Sequence, residues 1–328
     1  MRSPGRSLVL LAASAVAALL MTGGPAAART DQGGGRSVVE EVAQRPSPVV
    51  EEVAQRPSRD RVTRETRPEI TKVLTFVVEN HSLRQMKASM PYVYGLAKKY
   101  AYADHYRAIT HPSLPNYLAM ASGGTQGVTD DGEPAAHPLD GTTVFDQALA
   151  LGRTATIYAD AMTEPCQLSS AGRYAVKHNP WAYFTDSRAA CLRNDVPVGR
   201  LAGDVRAGTL PNAGMVIPDL VHDAHDAGLG TADAWLRKQI ALVRSGPDWR
   251  SGHLAVVVTA DEDDSAGDNT VLTVVASRYQ VHKVVHRPLT HYSLTALYDA
   301  VIGATPLGAA AGAPSMVRTF RISVASVS

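Results

Sequence analysis

Three runs of this chain are apolar at nearly every position: residues 73–78, 215–217 and 253–259. Such runs, rich in β-branched residues and lacking polar alternation, predict strands buried on both faces of a parallel sheet. Residues 154–158 and 271–276 read as two further strands. Helical spacing predicts a helix over 90–100, a helix start at 117–121, a long helix over 232–244 and a last one over 291–302. Strands alternating with helices predict an α/β fold around a mostly parallel sheet.

Each of the three buried runs ends in a polar cluster. The first delivers Glu79-Asn80-His81-Ser82, the second Pro218-Asp219 through His222, Asp223, His225 and Asp226, and the third Asp261-Glu262-Asp263-Asp264. In open α/β sheets ligands bind at the carboxyl ends of the strands. Between the first two runs lies His111-Pro112-Ser113-Leu114-Pro115-Asn116-Tyr117. Pro112 and Pro115 each fix φ, so Ser113 is presented from a stiff loop. A helix opening behind it aims unpaired backbone N–H groups at any anion held there.

Glu79, Asn80, Asp223, His225, Asp261, Glu262 and His291 together suit one or two divalent cations of the zinc, manganese, calcium or iron kind. Carboxylates clustered without a cation would repel one another and rise in pKa. With a cation present, Ser113 becomes a metal-activated nucleophile. Each piece has a plainer reading alone: 261–264 as a solvated acidic turn, His225 or His291 as a structural histidine, Glu79-Asn80 as a helix cap. The recurrence of such clusters at strand ends and helix starts argues for a shared site.

Composition narrows the picture little. The chain has 328 residues, 45% apolar and 19% charged, with a formal net charge of +1. That balance gives no electrostatic footprint for DNA or RNA and is compatible with a small anionic substrate. No obligate protein partner is evident.

The amino terminus changes the picture more. Arg2 and Arg6 precede an apolar, alanine-rich run over 8–21, and Ala26-Ala27-Ala28 follow, which predicts a signal peptide over 1–28 and a secreted protein. A retained anchor is the alternative. Residues 29–67 contain a near-duplicate (38–47 and 49–58) closed each time by proline and free of aromatics, which predicts a disordered spacer. The catalytic domain is expected over 68–305 and a flexible tail over 306–328, where alanine and glycine dominate. Cys166 and Cys191 are the only cysteines. In an exported chain they read as one disulfide, closing a loop of about 26 residues and worth roughly 3 kcal/mol; two buried thiols are the alternative.

These segments, together with Lys177-His178-Asn179-Pro180-Trp181 and Thr290-His291-Tyr292-Ser293, resemble the bacterial phosphoesterase family of secreted acid phosphatases and phospholipases C, within the alkaline-phosphatase-like superfamily. The resemblance spans about residues 70–305 in the family's order. It implies a three-layer α/β sandwich, a central mostly parallel sheet flanked by helices. It places Ser113 as the phosphorylated nucleophile, and Glu79, Asn80, Asp261 and Glu262 at metal positions. Asp223, His225 and His291 fall in metal-ligand or acid/base segments, His225 and His291 as catalytic groups. Asn80, Asn116, Lys177 and His178 fall in substrate-contacting segments. Two departures stand out: Asp219 where the family usually has Asn, with His222 added, and His81 where arginine is commoner.

The implied activity is metal-dependent hydrolysis of phosphomonoesters through a phosphoserine. A phospholipase C-type diesterase acting on phospholipid, including at a membrane surface, is the alternative, and a non-catalytic metal-binding envelope protein a more distant one. A sulfatase is disfavoured, because Ser113-Leu114-Pro115-Asn116-Tyr117 lacks the arginine that formylglycine formation uses.

Overall fold

The computed structural model describes residues 67–325, so the predicted export signal and nearly all of the spacer lie outside the described residues. The chain enters the sheet at β1 (Lys72–Val78), followed by α1 (Leu83–Ser89), α2 (Pro91–Lys99), β2 (Ala101–Arg107), α3 (Ser113–Ser122), α4 (Val144–Ala150) and β3 (Ala155–Ala159). It continues through α5 (Arg188–Asn194), β4 (Asp195–Pro197), α6 (Leu201–Ala207), β5 (Ala213–Ile217), α7 (Leu229–Ser245), α8 (Pro247–Ser251), β6 (Leu254–Ala260) and β7 (Thr270–Ser277). Last come β8 (Lys283–Val285), β9 (Leu289–Thr290), α9 (His291–Ile302) and α10 (Met316–Phe320).

The strands lie in the order β4-β3-β5-β1-β6-β7-β2-β8, with β9 beside β2. β4, β3, β5, β1 and β6 are mutually parallel, and β7 runs antiparallel to both β6 and β2. β1 sits centrally with β5 and β6 on its flanks, and all three are apolar because both their faces are covered. One set of helices (α1, α2, α7 and α8) packs together over β6 and β7, and another (α3, α4 and α9) over β1, β3 and β5. The fold is the α/β arrangement around a mostly parallel sheet that the alternation predicts, with helices on it as the family resemblance implies.

β2 was not foreseen. Its Asp104, His105 and Arg107 obscure the apolar run; Asp104 is half-buried, and His105 and Arg107 are exposed. The carboxyl-terminal stretch also differs from the expected flexible tail. α10 buries Met316 and Phe320, and Ile70 donates to the Ser323 carbonyl at 2.7 Å. Gly123, at φ 71°, ends α3 where any Cβ would collide with the Leu307 carbonyl, and Ala309 donates to its carbonyl at 2.8 Å. Small residues are used there for close backbone approach, not for freedom.

Between β3 and α6 runs the polar segment that holds both cysteines. They form the expected disulfide, with Cα atoms 5.3 Å apart. Beside it, buried Asn179 donates to Asp195 Oδ2 at 2.7 Å.

Candidate active site

β1, β5 and β6 end side by side, and the backbone stitches their polar sequels together. Glu79 N–H donates to the Asp223 carbonyl at 2.8 Å, and Asp261 N–H to the Val78 carbonyl at 3.0 Å. Asn80 adopts the left-handed conformation at φ 54° and donates its N–H to Asp261 Oδ1 at 3.0 Å. Asparagine tolerates that conformation better than most residues, which suits it to the sharp exit from the strand.

Ser113 is the first residue of α3 and is buried. Its hydroxyl donates to Glu79 Oε2 at 2.9 Å. One helical turn later, Tyr117 donates to Glu79 Oε1 at 2.6 Å, so both carboxylate oxygens are held from the same helix. His178 completes this layer, its Nε2 3.2 Å from Glu79 Oε2 and its Nδ1 3.3 Å from Asp223 Oδ2. Its ring stacks on Tyr117 at 5.1 Å.

Burial pushes Glu79 up, but the His178 charge, with the hydrogen bonds of His178 and Tyr117, outweighs it and holds the carboxyl below its usual range. Burial likewise depresses His178, and Glu79 and Asp223 more than reverse that, so the imidazole stays protonated. Asp261 and Glu262 have no such counter-charge of comparable effect. Burial, then Glu79 and Glu262, push Asp261 well above the carboxylate range; burial pushes Glu262 to about 7 against the opposing pull of His111. Asp261 Oδ2 is buried with no hydrogen-bond partner. Carboxylates left short of positive charge, one oxygen of them orphaned, fit a bound divalent cation.

Among the described residues, the groups that bring three His, Cys, Asp or Glu donor atoms within 4.8 Å of one another both lie outside this cluster: Cys166, Cys191 and Asp195, and Asp160, Asp219 and His222. The disulfide closes the first. In the second, His222 Nδ1 lies 2.7 Å from Asp160 Oδ2 and 3.2 Å from Asp219 Oδ1, and Arg173 lies 2.7 Å from Asp219 Oδ2. The unusual Asp219 and the added His222 therefore face each other, with Asp160 and Arg173 as their further partners. His81, the other departure, sits with Nδ1 2.5 Å from its neighbour Glu79's carbonyl.

The site thus gathers Glu79, Asn80, Ser113, His178, Asp223, Asp261 and Glu262. Three residues named from the sequence take other places. His291 is buried with both nitrogens engaged, Nε2 at 2.6 Å from the Asp261 carbonyl and Nδ1 at 3.1 Å from the Tyr106 hydroxyl. Burial holds its pKa down at about 4. With both nitrogens engaged, the ring presents no free nitrogen to the site in this arrangement. Asn116, expected at the substrate, spends its amide on the loop: Oδ1 accepts from Ile109 and Thr110, and Nδ2 donates to the Thr110 and Pro112 carbonyls and to Glu262 Oε2. His225 stands at the rim, partly exposed, with Nδ1 2.7 Å from Asp226 Oδ1 and its ring 6.1 Å from that of His178.

Some participants were not singled out from the sequence. Tyr117 lay inside the quoted motif without a role. His111 reaches Glu262 at 3.2 Å and Asp263 at 3.4 Å. Asp131 accepts from Leu114 N–H and from Lys177, both at 2.9 Å. No local pattern marks these residues, since each acts on a partner distant in the chain.

The sequence profile of the Phosphoesterase family matches residues 74–297, which contain every residue of this site. The chain belongs to the Phosphoesterase family. It is 30% identical over 254 residues to the phosphatidylinositol-3-phosphatase of Mycobacterium tuberculosis, covering 75% of this chain and 82% of that protein. It is 29% identical over 227 residues to the phosphate-repressible acid phosphatase of Penicillium chrysogenum, covering 65% of this chain and 54% of that one. The chain thus spans only about half the length of this fungal relative. Among solved structures, an alkaline phosphatase superfamily protein from Vibrio parahaemolyticus superposes with a TM-score of 0.53 at 10% identity, over 73% of this chain and 67% of that one. At such identity the likeness speaks for the fold. As a member of the Phosphoesterase family with phosphatases as relatives, the protein is a phosphoric-ester hydrolase.

Proposed function

We propose that this phosphoesterase is an exported, metal-dependent phosphatase that releases phosphate from monoesters through a phosphoserine at Ser113. The observation that carries the reading is the buried Ser113 hydroxyl donating to Glu79 Oε2 at 2.9 Å at the start of α3. A nucleophile paired with an ionised acceptor, beside carboxylates short of counter-charge, is the arrangement phosphoryl transfer uses.

Ser113 Oγ attacks phosphorus in line; the Oγ–P bond forms as the bond to the leaving oxygen breaks. The hydroxyl proton has Glu79 Oε2 as its nearest acceptor. His178, held protonated, and Lys177 supply positive charge beside the phosphoryl oxygens. His225 at the rim protonates the leaving oxygen; the oxygen of a water then bonds to phosphorus as the Oγ–P bond breaks, and a proton returns to Ser113 Oγ, releasing phosphate. Glu79, Asn80, Ser113, Asp261 and Glu262 would hold the divalent cation, whose contribution is to neutralise phosphoryl charge and lower the serine pKa.

The monoester preference draws on the phosphatase names of the relatives. The phosphatidylinositol-3-phosphatase suggests a phosphorylated lipid headgroup as one substrate class. Export draws on the amino-terminal pattern and on the disulfide.

The test is hydrolysis of p-nitrophenyl phosphate and of its bis ester by wild type and Ser113→Ala, with and without EDTA. Monoester turnover abolished by the mutation and by chelation supports the reading. Wild-type rates in Ser113→Ala would overturn the nucleophile, and preference for the diester would move the assignment to a phosphodiesterase.

A further inference from the structure

Asp131 lies in the loop between α3 and α4, and no role follows for it from the hydrolase reading. Its Oδ1 accepts from Leu114 N–H at 2.9 Å and its Oδ2 from Lys177 Nζ at 2.9 Å. Leu114 follows Ser113, so its N–H is one of the unpaired amides at the start of α3, an element of 10 residues. The Lys177 ammonium stands near Glu79 and Asp261: burial disfavours it, but Asp131, Glu79 and Asp261 together hold its pKa above the ordinary lysine value. One carboxylate therefore bridges a backbone amide and an ammonium beside the nucleophile, the two kinds of donor a phosphoryl group's oxygens would take.

The surroundings let that carboxylate leave. Its side chain is 29% exposed and that of Lys177 20%. The loop is held independently of it, by Asp130 Oδ1 on Gly132 N–H at 2.8 Å and by the Tyr183 hydroxyl on the Gly132 carbonyl at 2.9 Å. Solvent reaches both partners of this ion pair, so a phosphoryl dianion can compete with the carboxylate for the ammonium.

We propose that Asp131 is a specificity-determining residue: its carboxylate occupies the Leu114 N–H and the Lys177 ammonium in the resting enzyme, and a phosphoryl group must displace it to reach Ser113. The residue is then a built-in competitor. It weakens the hold on the ground state and on product phosphate alike, and it recaptures both donors as product leaves. This rests on the hydrolase reading of the same site.

The test uses Asp131→Asn and Asp131→Ala, with inorganic phosphate as the probe. Asparagine still accepts from Leu114 N–H but cannot pair with Lys177, so it removes the charge and keeps the cap. The expected result is a Ki for inorganic phosphate lower by about tenfold in Asp131→Asn, with KM falling alongside and kcat unchanged or reduced; tenfold corresponds to about 1.4 kcal/mol. In a Lys177→Met background the same substitution should change Ki much less. A merely structural role would raise Ki and KM and lower Tm. An active wild type whose phosphate inhibition is unchanged or weakened in both variants overturns the proposal and leaves the phosphatase reading standing. A wild type inert toward esters, whose calorimetric phosphate affinity nonetheless rises in Asp131→Asn, supports the competitor and sinks the phosphatase reading.

Discussion

His291 holds Asp261 by its backbone, not by its side chain: Nε2 lies 2.6 Å from the Asp261 carbonyl oxygen and leaves the carboxylate to the site. The ring is fixed from behind by the Tyr106 hydroxyl at 3.1 Å. A histidine that the sequence suggested as ligand or acid is, by position, a brace for the acidic turn.

That relationship predicts how His291→Gln behaves. Activity should fall by about 10–100-fold through misplacement of Asp261. The shape of the pH–rate profile should stay as in wild type, because a ring held neutral by burial does not titrate in the working range. A profile that loses a limb in this variant would return His291 to the acid/base role.

His225 should behave differently. If it protonates the leaving oxygen, His225→Ala will slow hydrolysis of an alkyl phosphate about 100-fold and spare p-nitrophenyl phosphate, whose leaving group needs no proton. Comparison of kcat/KM for the two esters checks this, and equal losses on both would remove His225 from the chemistry.

Cation binding is readable without turnover. A divalent cation that binds the folded state at about 100 times its Kd should stabilise the protein by about 2.7 kcal/mol, seen as a rise in Tm that EDTA reverses. Asp261→Asn and Glu262→Gln should each shrink the rise. A shift that survives both changes would place the cation elsewhere.

Reducing the Cys166–Cys191 disulfide, whose cysteines are 25 residues apart in sequence, should cost about 3 kcal/mol on the loop-entropy argument. For a domain of this size that is a fall in Tm of about 6–12 °C. Because Asn179 ties the His178 turn to Asp195 near the bridge, KM should rise as well. Thermal melts and kinetics of Cys166→Ser/Cys191→Ser decide both points.

Buried Asp299 predicts part of the pH dependence of stability. Burial pushes its carboxyl up to about 7 against a partial pull from Leu307 N–H, while the unfolded chain keeps the ordinary value near 4. The folded state therefore binds the extra proton between those limits. The Asp299 contribution is full below about pH 4, is lost progressively as pH rises to about 7, and is flat above. Asp299→Asn should flatten the fall in Tm between pH 4 and 7, and a variant with the wild-type slope would contradict the assignment.

How much of this was legible beforehand varies by residue. Glu79, Asp223, Asp261 and Glu262 could be named because each follows a run whose apolarity marks a buried strand, and strand ends in such sheets meet at one edge. Ser113 could be named because prolines flank it ahead of a helix. The roles of Asn116, Tyr117 and Asp131 could not, since an amide or carboxylate is assigned by what it faces. The stretch after Thr305 misled because alanine and glycine serve both flexible tails and close packing.

The sequence alone determined the buried strands β1, β3, β5, β6 and β7, the helices α2, α7 and α9, the order of the polar clusters and the family resemblance. Those are properties of neighbours along the chain, where apolar periodicity and short motifs act. The tertiary structure decided which groups share a proton or a charge: Asn80 with Asp261 across 181 residues, Ser113 with Glu79 across 34, His291 with the Asp261 backbone across 30. Hydrogen bonding and desolvation act over a few ångströms of space, and which residues come that close is set by the strand order β5-β1-β6 and by the first turn of α3, which brings Ser113 and Tyr117 to Glu79.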